Sequence, residues 1–235
     1  MRKDSREPTE LRPLHIIPDY VARVPGSALL EQGDTRVIAT ATCDTKVPYF
    51  MRDTGKGWIA AEYSMLPGST GRRRLPRERQ KAHNRHIEIQ RFIDRALRNT
   101  ISLKAIENMT VFIDTDVVQA DGSTRCASLN AGMLVLAKLL KHLVYEQQIA
   151  DLPQIEWIAA VSVGIRDDAI LVDLTYEEDV KTDADISVVS SEKGQIVEVQ
   201  AFAEEHPVDL DLYRQAVEIA VEKNREIIEI LKRHL

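Results

Sequence analysis

Residues Thr110 to Gln147 constrain the fold most, because a strand, a very short polar loop and a long helix follow one another without a break. Thr110 to Val118 (TVFIDTDVV) is rich in β-branched residues and predicts a strand. Ala127 to Gln147 places Leu129, Met133, Leu136, Leu140, Leu143 and Val144 at helical spacing and predicts a helix. Between them lies Gln119-Ala120-Asp121-Gly122-Ser123-Thr124-Arg125. Such a loop leaves the first N–H groups of the helix unpaired, and with the positive end of the helix dipole they favour an anion. Gly122 permits a tight turn, Ser123 and Thr124 carry hydroxyl donors, and Arg125 can grip phosphate oxygens as a bidentate fork. The same residues are also compatible with a plain helix start whose arginine faces solvent.

The surrounding order narrows this choice. Asn84-Arg85-His86-Ile87-Glu88 opens a second amphipathic helix, predicted over Ile87 to Leu103 with Ile89, Phe92, Ile93, Ala96 and Leu97 on one face. Upstream stands Trp58-Ile59-Ala60-Ala61-Glu62-Tyr63-Ser64-Met65-Leu66-Pro67. Downstream, Glu177-Glu178-Asp179 is followed by Asp183-Ala184-Asp185. In this order and approximate spacing, from Arg12-Pro13 to the C-terminal helix, the chain resembles the bacterial ribonuclease PH family. The resemblance implies a phosphorolytic 3′→5′ exoribonuclease that trims tRNA precursors, consumes inorganic phosphate and releases nucleoside diphosphates. It also implies a homohexamer, a trimer of dimers. Within this resemblance Arg85 and Arg125, with Ser123 and Thr124, match positions that bind phosphate. Asp185, with Asp179 beside it, matches the position of the catalytic acid/base or metal ligand, and the pair suits Mg²⁺. Four positions depart from the family's usual residues: Ser5, Asn84 and Ser123 stand where glycine is usual, and Cys126 where threonine is common.

Charge is unevenly placed. The chain carries 31 Lys/Arg and 37 Asp/Glu, a formal −6. Residues 66–98 nevertheless hold ten of the basic residues and only three acids (Glu78, Glu88, Asp94). A basic segment on an acidic body is the pattern of a localised polyanion site. Arg72, Arg73, Arg74, Arg77 and Arg79 are therefore read as RNA-backbone contacts on a long exposed loop, Gly68 to Ala82, with an unbound solvated loop or a subunit contact as the alternatives. Contacts of that kind are sequence-independent and salt-sensitive.

Strands are predicted at Gly26 to Glu31 and Thr35 to Thr42 about a Gly33-Asp34 turn, at Trp58 to Tyr63, and near 155–164, 169–176, 185–191 and 195–202. A last helix spans about 208–233. This is an α+β plan, which the resemblance sharpens to the ribosomal-protein-S5-domain-2-like fold, mixed sheets packed with helices. No linker divides it, so residues 1–235 are read as a single catalytic domain. No apolar run is expected to span a membrane, and two cysteines without metal-ligand spacing fit a reducing cytoplasm. Cys126, at a helix start but without a histidine partner, is given no role. Two other classes compete with the leading reading: a non-catalytic RNA-binding ring subunit of the same fold, and a hydrolytic nuclease using water.

Overall fold

The strand–loop–helix prediction corresponds to β5 (Thr110–Gln119) and α3 (Thr124–Tyr145) in the computed structural model, which describes residues 2–72, 76–80, 83–204 and 207–235. The helix begins three residues earlier than its apolar pattern, because the left-handed Ser123 (φ 52°) closes the loop at once. β5 is flanked on one side by β3 (Thr35–Asp44), antiparallel, and on the other by β4 (Trp58–Met65), parallel. With β1 (Leu14–Pro18) and β2 (Gly26–Gln32) they form a five-stranded sheet in the order β1-β2-β3-β5-β4. The β2–β3 hairpin turns at Gly33, φ 56°, as its Gly-Asp signal predicts. β1 was not separately legible in the sequence.

The second sheet is antiparallel throughout, in the order β7-β6-β8-β9, from β6 (Ile158–Arg166), β7 (Ala169–Val172), β8 (Ala184–Ser191) and β9 (Ile196–Ala203). β7 stops well before the predicted 176, because the backbone reverses at Asp173 (φ 55°). A four-residue helix, α4 (Tyr176–Asp179), follows.

α3 packs against β2, β3 and β5 of the first sheet and against β6 of the second. Its mid-section from Cys126 to Ala137 is wholly buried. The one strongly polar side chain there, Asn130, is matched on both sides. Its amide donates to the Ala160 carbonyl (2.9 Å) and its oxygen accepts the Ala160 N–H (2.8 Å), so a helix residue completes a strand of the other sheet. By length and composition α3 is apolar enough to cross a membrane, against expectation, but 78% of its most apolar window is buried inside the fold.

Two helices cover the remaining faces. α2 (Asn84–Leu97) buries the five residues named from its periodicity against β4 and α3. It ends at Leu97, not Leu103, where the Thr100 hydroxyl takes the Leu97 carbonyl (2.7 Å). α5 (Leu210–Lys232) packs on β6 and β8. The predicted long loop at 68–82 is tethered, not free. It contains a helical turn, α1 (Arg77–Gln80), whose buried Gln80 accepts the Met65 N–H (3.2 Å). Ser69 offers its carbonyl to the Ala120 N–H (2.9 Å).

Candidate active site

The loop 119–125 is held from several sides by groups with no motif of their own. The Thr35 hydroxyl donates to the Gly122 carbonyl (2.8 Å) and accepts the Asp121 N–H (2.9 Å). Arg12 donates to the Asp121 carbonyl (2.5 Å). The Tyr176 N–H donates to the Asp121 carboxylate (3.2 Å). Gly122 (φ 74°) lies against the backbone of Leu174, Thr175 and Tyr176, where any Cβ would come within 2.7 Å of the Thr175 carbonyl carbon. Glycine is required here both for its dihedral and for the approach of two chain segments.

Ser123 departs from the hydroxyl-donor role given to it. Its Oγ is turned inward, bonded to the Ser162 hydroxyl and 3.0 Å from the Leu174 carbonyl. No side chain caps α3, so its first N–H groups are left for the cleft they border. Thr124 Oγ1 lies 3.0 Å from the Tyr63 hydroxyl. Arg125 is oriented by Glu88 of α2 (3.2 Å) and by Gln200 of β9.

This loop forms one wall of an open cleft of about 1560 Å³. Arg72, Arg85, Ser123, Thr124, Arg125, Asp179 and Asp185 all line it, seven predicted residues from four separated stretches of chain. Arg79 is exposed on α1 and is not part of the lining. Arg77 opens that helical turn. Arg73 and Arg74 lie outside the described residues.

The acidic stretch 177–185 divides into two kinds of carboxylate. Glu178 is structural: it grips Arg2 through both oxygens (2.7 and 2.8 Å) and closes a capping box with Thr175. Glu177 pairs with Lys3 at the rim, and Asp183 accepts the Asp167 N–H. Asp179 and Asp185 are partly buried and engage one another electrostatically. Burial, then the charge of Asp179, pushes the Asp185 carboxyl up to about 6, against the opposing pull of Arg125 and Arg85. Burial likewise raises Asp179, with the same two arginines opposing. Two cations and two carboxylates thus face one space.

Cys126 is fully buried behind the loop, and burial pushes its thiol up to about 12, which removes it from any nucleophilic role. Asn84 opens α2 and is absent from the left-handed residues, so no glycine is needed there. Ser5 is left-handed at φ 62°.

A model of the 3′ exoribonuclease family, domain 1, matches residues 10–139, and one of domain 2 matches residues 157–223. The chain belongs to the 3′ exoribonuclease family. Ribonuclease PH of Bacillus cereus strain AH820 is 41% identical to this family member over 237 residues, covering all of this chain and 97% of the relative. That of strain AH187 is 44% identical over 207 residues, or 87% of this chain and 84% of the relative. Among solved structures, an Archaeoglobus fulgidus exosome with RNA bound to its active site superposes with a TM-score of 0.81 at 23% identity, covering 97% of this chain and 91% of that one. An archaeal exosome core gives 0.78, also at 23%, over 98% and 91%. These likenesses establish the ribosomal-protein-S5-domain-2-like fold for the family member. Their low identity carries nothing finer.

Sequence reasoning missed the groups that hold the site together: Thr35, Tyr63, Ser162 and Gln200. Single hydroxyls and amides on strands carry no spacing signal. Arg12 was visible as the start of the resemblance, but its contact with Asp121 was not.

Proposed function

We propose that this chain removes nucleotides from RNA 3′ ends by phosphorolysis, and that tRNA precursors are among its substrates. The observation that carries the reading is the meeting of an uncapped helix N-terminus, Arg85 and Arg125 with the Asp179–Asp185 pair in one cleft. The first group suits a phosphate dianion, the second the developing charge and proton traffic of phosphoryl transfer. A phosphate oxygen held by Arg85, Arg125 and the Ser123–Thr124 backbone attacks the last phosphodiester. The bond to the 3′ oxygen breaks, that oxygen takes a proton, and a nucleoside diphosphate leaves with RNA shorter by one residue. In the metal-free site the Asp185 carboxyl, pushed up to about 6, retains a protonated fraction near neutrality and could supply that proton; as a metal ligand it would instead leave the proton to water or phosphate. In reverse the same geometry extends RNA from nucleoside diphosphates.

Mg²⁺ fits the pair. Two half-buried carboxylates, with no direct ion pair among the described residues, are a usual protein share of its shell, water and phosphate providing the rest. When bound, the ion would neutralise charge on the transferring phosphoryl group.

Arg72 sits at the cleft and is read as an RNA-backbone contact together with Arg77 and Arg79, and with Arg73 and Arg74, which lie outside the described residues. The bonds of Ser69 to Ala120 and of Gln80 to Met65 hold the described residues on either side of that run beside the phosphate loop and β4. The two matched stretches act as one catalytic unit, 1–235, because α3 serves both sheets. A cytoplasmic homohexamer, a trimer of dimers, is the assembly expected of it, to be checked by native mass.

The deciding experiment supplies a tRNA bearing a short 3′ extension, with Mg²⁺, in the presence and absence of inorganic phosphate. Nucleoside diphosphates released only with phosphate are expected. Monophosphates released without it would overturn the phosphate assignment in favour of hydrolysis. RNA binding without any product would favour a non-catalytic ring subunit.

A further inference from the structure

Phe202 is 65% exposed, an unusual setting for an aromatic side chain placed on a strand at the wall of the cleft. In the β8–β9 pairing it stands directly opposite Asp185. Alternation along β9 puts it on the same face as Gln200, whose side chain receives Arg125. Glu204, two residues further on, also borders the cleft. Phe202 is therefore the register neighbour of the carboxylate that would serve the leaving oxygen and shares a strand face with the partner of the arginine that would grip phosphate. Its ring makes no aromatic-pair or cation–π contact among the described residues, and its strand is paired with β8. Tyr176 and Val180, 58% and 65% exposed, line the same cleft from the side of α4. They sit at the two ends of a four-residue helix, a less rigid support than a paired strand.

A flat apolar surface beside a phosphodiester site matches the face of a nucleobase. Stacking on it is tolerant of sequence because every base has such a face. We propose that Phe202 is a stacking platform for the nucleobase at the RNA 3′ end, fixing the terminal nucleotide over Asp185. The inference rests on the reading of the cleft as an RNA 3′-end site.

The test uses a short RNA carrying 2-aminopurine as its 3′-terminal base, titrated with the protein in phosphate-free buffer, with fluorescence and affinity both recorded. Binding of the unaltered protein is expected to change the fluorescence by stacking. Phe202→Ala should abolish that change and weaken binding about 5- to 150-fold, the range found for removal of one stacking partner. Phe202→Trp should restore both. An alanine variant that binds and reports like the unaltered protein overturns the proposal. So does a loss of binding accompanied by a fall in native mass, which would place the ring between copies of this chain. Phosphate is then added to the same complex: nucleoside monophosphates already present before that addition would sink phosphorolysis and leave the result for Phe202 standing.

Discussion

Arg12 reaches Asp173 twice across 161 residues of sequence, its main-chain N–H donating to one carboxylate oxygen (2.8 Å) and its guanidinium to the other (2.7 Å). Both are buried, and Arg2 and Arg6 add bonds to the Asp173 carbonyl (3.2 Å each). Burial alone would raise the Asp173 carboxyl. The charge and hydrogen bonds of Arg12, with Gln32, outweigh it and hold the group below its ordinary range. Removing Asp173 leaves the buried Arg12 charge with only the more distant Asp121 carboxylate (4.0 Å) opposite it. Asp173→Ala is expected to lower the unfolding free energy by about 3–5 kcal/mol in urea titrations near neutrality. Because the folded carboxyl is the stronger acid, its contribution is complete above the unfolded value near 4 and is lost as pH falls through the folded value. Arg12, whose pKa is raised, stays charged throughout this window. The gap between the two proteins should thus be constant from about pH 5 to 8 and close in stronger acid; a gap that persisted unchanged at the lowest accessible pH would rule out the ion pair as its source.

Asp185 has the opposite sign. Burial and Asp179 make its folded carboxyl the weaker acid, at about 6, so the charge opposes folding at neutral pH and has no effect below about 4. Asp185→Asn is expected to stabilise the metal-free protein by about 1–2 kcal/mol at pH 7.5, after allowance for partial solvent screening, and by nothing in acid. Phosphate-dependent RNA shortening should fall by about 10²-fold or more. Paired thermal melts and product assays check both; a variant that is destabilised would show that the carboxylate is not a burden on the fold.

Ser123 separates two effects. Alanine and glycine both lose the hydroxyl bonds to Ser162 and the Leu174 carbonyl, but only glycine is at ease at φ 52°. Ser123→Gly should therefore be more stable than Ser123→Ala by about 1 kcal/mol. Equal stabilities in denaturant titration would mean the loop relaxes out of the left-handed region.

The thiols should differ. Cys126 is fully buried with its thiol pushed up to about 12, whereas Cys43 is only half-buried. A colorimetric thiol reagent at pH 8 should label Cys43 alone in the native protein and both residues after unfolding. Rapid native labelling of Cys126 would show that the α3 N-terminus opens.

The elements were legible where one period ran long. The five core residues of α2 and the strand–loop–helix at 110–147 could be read directly, because burial of a single face imposes the pattern. β1 could not, since a five-residue edge strand has too few residues to show one. In the site, charged residues with a recognisable order were readable, and those lining the cleft include Arg85, Arg125, Asp179 and Asp185. The different fates of Glu177, Glu178 and Asp179 were not. Glu178 is drawn away from the cleft by Arg2, and Glu177 is tied to Lys3, each about 175 residues away along the chain. Ser123 illustrates the same limit, its hydroxyl direction being fixed by Ser162 of the other sheet and by Leu174 of the loop after β7.

The backbone contact of Gly122 with residues 174–176 joins the stretch matched by the first family model to the stretch matched by the second. The arginines come from one stretch and the carboxylate pair from the other. Neither stretch alone therefore carries the whole charged lining of the cleft, and the two halves of that lining face one another only across a contact too close for any residue but glycine.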